Sequence, residues 1–348
     1  MSVVTIIGSG QMGSALAFPA RENGHEVRVV GSPLDDSIID ACRAKNRHPA
    51  FKTDFPSGIQ FFKVSEMERA IEGADMIIGG VSSFGVEWFG EFVLPRIPEK
   101  TPVLSVTKGL FDEPDGRLLP YPMLWEKMLA KKGLSRNINA IGGPCTSYEL
   151  VAHDHTEVAF CGPDLAVLAT LKAIMETSYY HISITTDVMG IESAVALKNG
   201  YALAIALTIG ENQRRFGLES DPHFNSQAAI FYQSVKEMAL LLEYQGAMAL
   251  NNLAIGLGDL YVTVYGGRTR KIGILLGRGM DIDAAKETLQ GVTLESLVVA
   301  ERVARAVRRA ASLGNLDRDK FPLLLHVDDI ISKKAEVDIP WKQFSFIS

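Results

Sequence analysis

A chain of 348 residues, 47% apolar and 22% charged, is long enough for two globular cores and too hydrophobic for disorder or a fibre. Its formal charge of −6 argues against a nucleic-acid partner or an anionic membrane surface. Cys42, Cys145 and Cys161 show neither paired spacing nor a C-x-x-C, so neither a disulfide framework nor a zinc site is supported, and no metal is expected.

The predicted elements follow in chain order. Residues 1–7 carry no charged n-region, and the apolar run is broken by Gly8 and Gly10, so no export signal is read there. Residues 3–7 read as a buried strand, 11–23 as a helix and 26–30 as a second strand. Residues 35–44 are helical, and a polar, proline-containing loop runs to Gly58. A short helix at 67–72, a strand at 75–81, a helix at 86–97 and a strand at 102–106 continue the alternation. Segments 124–132, 139–142, 158–161, 165–176 and 181–185 extend it further. Continuous apolar strands separated by helices predict an α/β domain with a doubly wound, mostly parallel sheet.

From Gly190 the rhythm changes to long helical segments, 191–215, 226–245, 282–289, 294–311 and 322–333, with one strand signal at 260–264. An all-α second domain is therefore expected, with residues 1–187 forming the first domain and 188–348 the second. No stretch reaches the ~18–20 uninterrupted apolar residues of a membrane span. Residues 194–210 come nearest, and they contain Lys198 and Asn199. The expectation is a cytoplasmic protein with no membrane span.

Gly8-Ser9-Gly10-Gln11-Met12-Gly13 is a G-x-G-x-x-G turn after a strand and before a helix. The first glycine allows the tight turn, the second lets backbone approach a pyrophosphate, and the third lets helix and strand pack closely. Its context makes the first domain a Rossmann dinucleotide-binding domain rather than a chance glycine turn. The second strand runs out through Val30-Gly31-Ser32-Pro33-Leu34-Asp35-Asp36 with no acid at its tip. Asp35 and Asp36 read as the start of the next helix, and Ser32 suits the sugar of either NAD or NADP.

In the second half, Lys198 has Ala194, Val195, Tyr201 and Ala202 as its helical neighbours, so it lies on an apolar face. Such a lysine is paired, snorkelling, or tuned toward neutrality as a catalytic acid or base. Asp259 is the only carboxylate between Glu243 and Asp281, and a Gly266-Gly267 turn follows it, presenting Arg268, Arg270 and Lys271. Guanidinium donors at a glycine turn suit a phosphate or carboxylate, and a solvated basic turn is the plainer alternative.

These pieces occur in one order: the GSGQMG turn, Thr107-Lys108-Gly109-Leu110, Gly143-Pro144 with Glu149, Ala196-Leu197-Lys198-Asn199, and Gly258-Asp259-Leu260 with Gly267-Arg268. Together, from Val3 to about Glu301, they resemble the NAD(P)-dependent glycerol-3-phosphate dehydrogenases. The resemblance implies a Rossmann domain, a helical C-terminal domain, and reversible reduction of dihydroxyacetone phosphate to sn-glycerol 3-phosphate. It implies NAD or NADP as cofactor, a small phosphorylated substrate, a homodimer and a place in glycerophospholipid metabolism. By matching position, Lys198 is the general acid/base, Asp259 holds its ammonium, and Lys108 is a second cation at the carbonyl. Asn199 and Thr263 would hydrogen-bond polar groups, and Arg268 would clamp the phosphate near the nicotinamide. Gly143, Cys145, Gly267 and Thr269 complete the substrate set. Gly8, Gly10, Gln11, Met12, Gly13, Ser32, Lys108, Ser147, Arg268 and Glu295 make up the cofactor set. The chain departs from the family at Thr269, at Ser82-Ser83-Phe84-Gly85 and at Cys145. These departures border the expected substrate path and bear on which phosphorylated ketone is used. A reductase of another ketose phosphate, a ketopantoate-reductase-like 2-keto acid reductase and a nucleotide sensor without turnover are the competing readings.

Overall fold

The short apolar runs of the first half pair into one eight-stranded sheet in the computed structural model, which describes residues 1–290 and 294–344. In chain order come β1 (Val3–Ile7), α1 (Gln11–Ala15), α2 (Ala17–Glu22), β2 (Glu26–Val30), α3 (Asp36–Lys45) and β3 (Gln60–Phe62). Next are α4 (Met67–Ile71), β4 (Met76–Gly79), α5 (Val86–Trp88), β5 (Val103–Ser105) and a hairpin of β6 (Leu110–Asp112) and β7 (Leu118–Pro120). Then follow α6 (Tyr121–Ala130), β8 (Ile138–Gly142), α7 (Ser147–Leu150), β9 (Thr156–Cys161), α8 (Leu165–Met175) and β10 (Tyr180–Thr185). The strand order is β10-β9-β8-β5-β4-β1-β2-β3, with β8 and β9 antiparallel and the other neighbours parallel. Val4 and Ile6 face a layer containing Phe18, Ile39 and Leu168, whereas Ile7 faces Phe89 and Trp125 on the other side. Burial on both faces is why these strands read as unbroken apolar runs.

The structure departs from the expected elements in several places. The helix expected over 11–23 breaks at Leu16 into α1 and α2. Pro19 lies four residues after Ala15, so it lacks the N–H that would bond the Ala15 carbonyl, and its ring crowds that carbonyl. The helix expected over 86–97 begins as α5, widens into a π turn over Phe89–Val93 and tightens into a 3₁₀ turn at Pro95. The loop before Gly58 is not wholly solvated, because Phe51 and Phe55 pack on Phe18 at 6.1 and 5.4 Å between ring centres. The three-residue strand β3 is too short to show a period in the sequence.

The chain forms two compact units, Met1–Lys108 with Pro120–Glu192, and Gly109–Leu119 with Ser193–Ser348. The helices of the second half are α9 (Val188–Phe216), α10 (Phe224–Tyr244), α11 (Leu250–Tyr265), α12 (Gly267–Gly277), α13 (Ile282–Thr288), α14 (Glu295–Ser312) and α15 (Pro322–Lys333). The Gly190 amide of α9 donates to the Asp187 carboxylate at 2.8 Å. The strand expected at 260–264 is instead the last part of α11. Asp259, Leu260 and Val264 are buried while Tyr261 and Tyr265 are exposed, which is a helical period. The β-branched run Val262-Thr263-Val264 imitates a strand locally, and packing overrides it.

The hairpin interrupts the first unit in sequence and belongs to the second by its contacts. Leu110 and Leu118 enter the second unit's core. Asp112 is forked by Arg305 at 2.6 and 2.8 Å and also accepts from Arg309 at 2.9 Å. Deeper in the same unit, Glu237 is fully buried and accepts from the Leu323 and Leu324 amides at 2.9 and 3.0 Å, capping α15. Burial pushes its carboxyl pKa up to about 7.

Candidate active site

In the first unit the glycine turn is built from the end of β1. Gly8 has φ +108°, and a Cβ there would fall 2.6 Å from the Gly80 carbonyl carbon; one on Gly13 would fall 2.4 Å from the Gly8 oxygen. Both glycines are required by the fold itself. Gly10 differs, since a Cβ there would meet nothing nearer than the Gly80 oxygen at 3.8 Å. The backbone at Gly10 is thus open to close approach, which fits a dinucleotide's pyrophosphate.

The peptide of Ser9 is gripped from both sides. Its N–H donates to Asp35 Oδ2 at 3.1 Å, and the same oxygen accepts from the Ser32 amide at 2.8 Å. Its carbonyl faces His48 Nε2 at 3.1 Å. Because His48 Nδ1 accepts from the Ala50 amide at 3.0 Å, the ring proton is assigned to Nε2, which donates to Ser9. Burial holds the His48 pKa below the ordinary histidine value, which keeps the ring neutral. Asp35, expected to begin the next helix, thus also ties the tip of β2 to the glycine turn. Sequence reasoning missed this pair, since a lone aspartate and a lone histidine in loops carry no spacing signal.

Four of the other expected residues of this unit meet as two pairs. Lys108 Nζ donates to the Gly143 carbonyl at 2.9 Å, and Thr107 beside it donates to the Val81 carbonyl at 2.7 Å. Ser147, the first residue of α7, donates to Gln11 Oε1 at 3.4 Å. Met12 and half-buried Cys145 pack against the core under the sheet.

In the second unit, α9 and α11 bring Lys198, Asp259 and Thr263 together. Lys198 is 8% exposed and Asp259 1%, so the ammonium does not snorkel to solvent. Lys198 Nζ donates to Asp259 Oδ1 and, at 2.8 Å, to Thr263 Oγ1. The Thr263 hydroxyl gives its own proton to the Asp259 carbonyl at 2.8 Å, leaving its oxygen lone pairs to face the lysine. Ala194, Val195, Tyr201 and Ala202 are buried around this cluster, and Asn199 beside it is half-buried. A carboxylate beside a buried ammonium offsets part of the cost of taking that charge out of water.

Beyond α11, Gly266 is extended and opens α12, whose first residues are Gly267 (φ +83°), exposed Arg268 and half-buried Thr269. Glycine caps this eleven-residue helix without a side chain, so its first-turn amides and positive dipole end suit an anion. Arg270, expected to be presented by the turn, instead donates to the Val264 carbonyl at 2.8 Å and ties off α11. Lys271 is exposed, and Glu295 is the half-buried first residue of α14.

The chain matches the family models described as the N-terminus and C-terminus of NAD-dependent glycerol-3-phosphate dehydrogenase, over residues 3–167 and 187–341. It is 34% identical over 307 residues to the NADP(+)-dependent glycerol-3-phosphate dehydrogenase of Archaeoglobus fulgidus, covering 87% of this chain and 89% of that one. Over 343 residues it is 30% identical to the glycerol-3-phosphate dehydrogenase [NAD(P)+] of Acidobacterium capsulatum, covering 96% and 95%. The crystal structure of glycerol-3-phosphate dehydrogenase from Coxiella burnetii shares the fold, with a TM-score of 0.80 at 23% identity over 98% of this chain and 97% of that one. The chain belongs to the NAD-dependent glycerol-3-phosphate dehydrogenase family.

Proposed function

We propose that this chain catalyses the reversible, NAD(P)-dependent reduction of dihydroxyacetone phosphate to sn-glycerol 3-phosphate, with Lys198 as general acid and base. The observation that carries the reading is the buried Lys198 ammonium of α9 held by Asp259 and Thr263. Family membership supports the reaction class and the use of NAD or NADP.

When bound, the nicotinamide supplies hydride to the ketone carbon or takes it back from the alcohol. Lys198 gives a proton to the ketone oxygen as negative charge develops there, and recovers it in the oxidative direction. Asp259 keeps that ammonium charged and aimed, and Thr263 fixes its direction. Lys108 is a second cation for the carbonyl, and Asn199 hydrogen-bonds the substrate's polar groups. Arg268 and the first-turn amides of α12 hold the phosphate, since a guanidinium fork and a helix N-terminus both complement a dianion. Gly143, Cys145, Gly267 and Thr269 border the substrate. Gly8, Gly10, Gln11, Met12 and Gly13 hold the pyrophosphate end of the cofactor. Ser32 serves its sugar, and Lys108, Ser147, Arg268 and Glu295 serve the remainder.

Residues 1–187 act as the cofactor domain and 188–348 as the substrate domain of a cytoplasmic homodimer feeding glycerophospholipid synthesis. The burial of α9, the one helix among the described residues long and apolar enough to cross a membrane, supports reading it as a core element. The test is NADH and NADPH oxidation with dihydroxyacetone phosphate, dihydroxyacetone and a panel of 2-keto acids, with light scattering for the dimer. Faster reduction of a 2-keto acid than of dihydroxyacetone phosphate overturns the substrate assignment.

A further inference from the structure

We propose that Gly256 and Ala194 are positioning residues that set the reach between Lys198 and Asp259 by letting α11 lie directly against α9. The proposal rests on the reading of Lys198 as proton donor. Gly256 precedes Asp259 by three residues, and Ala194 precedes Lys198 by four. On each helix, therefore, the contact residue sits one turn before the functional one on the same face. A Cβ on Gly256 would fall 2.9 Å from Ala194 Cβ and 3.2 Å from both the Ala194 carbonyl oxygen and Met238 Cε. Carbon atoms pack comfortably at about 3.5–4 Å, so a methyl group there would force a displacement of several tenths of an ångström or more. Met238 Cε ends a flexible side chain and can move aside. The Ala194 Cβ and carbonyl belong to the frame of α9 and cannot move without the helix.

Glycine is a poor helix former, and its place in the middle of α11 needs a reason that this contact supplies. The consequence falls on the pair one turn on. Asp259 has a short side chain and is 1% exposed, so it cannot follow Lys198 if α11 is pushed away. Lys198 bonds both the Asp259 carboxylate and the Thr263 hydroxyl, and both acceptors ride on α11. Displacing α11 therefore loosens the two anchors together and leaves the ammonium misaimed.

The experiment is a set of purified full-length variants: Gly256→Ala, Ala194→Gly, the double variant, and Lys198→Met as reference. Gly256→Ala is expected to lower kcat by about 10- to 100-fold, the scale of a sub-ångström to 1 Å misplacement of a catalytic group. Cofactor binding, read by quenching of protein fluorescence with NADH or NADPH, is expected to stay unchanged. The double variant removes the 2.9 Å overlap with the Ala194 Cβ and leaves only the 3.2 Å approach to the residue 194 carbonyl oxygen, so it is expected to regain part of the lost kcat. Its Tm should nevertheless stay at or below that of Gly256→Ala, because Ala194→Gly weakens α9. A merely structural contact predicts the opposite, with activity following Tm and no rescue. Wild-type kcat in Gly256→Ala, or a folded double variant with no recovery, overturns the proposal. Should Gly256→Ala fail to fold, Ala194→Val crowds the same contact from the other side, and unchanged kcat there overturns it equally. Near-normal kcat in Lys198→Met overturns the proton-donor reading itself, whereas an inactive Lys198→Met beside a fully active Gly256→Ala overturns only the positioning role.

Discussion

Replacing Asp259 by asparagine removes one charge from the Lys198 cluster with little change of shape. Both side chains are at least nine-tenths buried, and the carboxylate accepts directly from the ammonium. Removing the charge of one partner of a buried pair costs about 3–5 kcal/mol. Losing a neighbouring carboxylate also weakens a lysine's hold on its proton, which disfavours the acid form that ketone reduction needs. Thr263 still holds the nitrogen, so the side chain stays in place while its protonation changes. The kcat for ketone reduction is expected to fall by about 10²- to 10⁴-fold at pH 7.5. It should recover partly as pH is lowered, because the alkaline limb of the kcat profile moves to lower pH than in the wild type. Stopped-flow or steady-state NAD(P)H oxidation from pH 5.5 to 9 reads both effects. A variant with near-normal kcat and an unmoved profile would show that Asp259 does not maintain the charge on Lys198.

Arg268→Ala is expected to reduce kcat/KM for dihydroxyacetone phosphate by roughly 10- to 150-fold, the worth of a charged hydrogen bond of about 1.5–3 kcal/mol, and to spare unphosphorylated dihydroxyacetone. Equal losses on both substrates would move Arg268 from the phosphate to the cofactor or the fold. Burial depresses the His48 pKa, so its contribution to stability is present above about pH 6.5 and is lost as pH falls toward the folded-state value. Denaturant unfolding at pH 7.5 and 5.5 should show this acid loss in the wild type and a smaller one in His48→Ala; equal losses refute the assignment. Glu237 titrates in the opposite sense, since its pKa is raised to about 7 and its contribution is present below about pH 4.5 and lost as pH rises through 7. The wild type should lose about 3 kcal/mol between pH 5 and 8 from this group, and Glu237→Gln should remove that slope. An unchanged slope in Glu237→Gln would mean that the carboxyl is not the titrating group.

The amino-acid sequence by itself determined whatever local rules govern. The glycine turn was legible because its three glycines, the preceding strand and the following helix are consecutive in the chain. Lys198 stood out because a charge among residues spaced three and four apart on a helix reveals its apolar face. Whatever depends on partners at no fixed spacing had to wait for the tertiary structure. The run 260–264 looks like a strand to its neighbours, and only packing against α9 makes it the helix that carries Asp259 and Thr263 to Lys198, 61 and 65 residues away. Asp35 and His48 reach Ser9 across 26 and 39 residues from loops with no periodic pattern. The hairpin after Lys108 belongs with helices at the far end of the chain because Asp112 meets Arg305 across 193 residues. Arg270, indistinguishable from Arg268 as a guanidinium beside a glycine turn, is withdrawn from the basic turn by the carbonyl of Val264, left without an intrahelical partner where α11 ends.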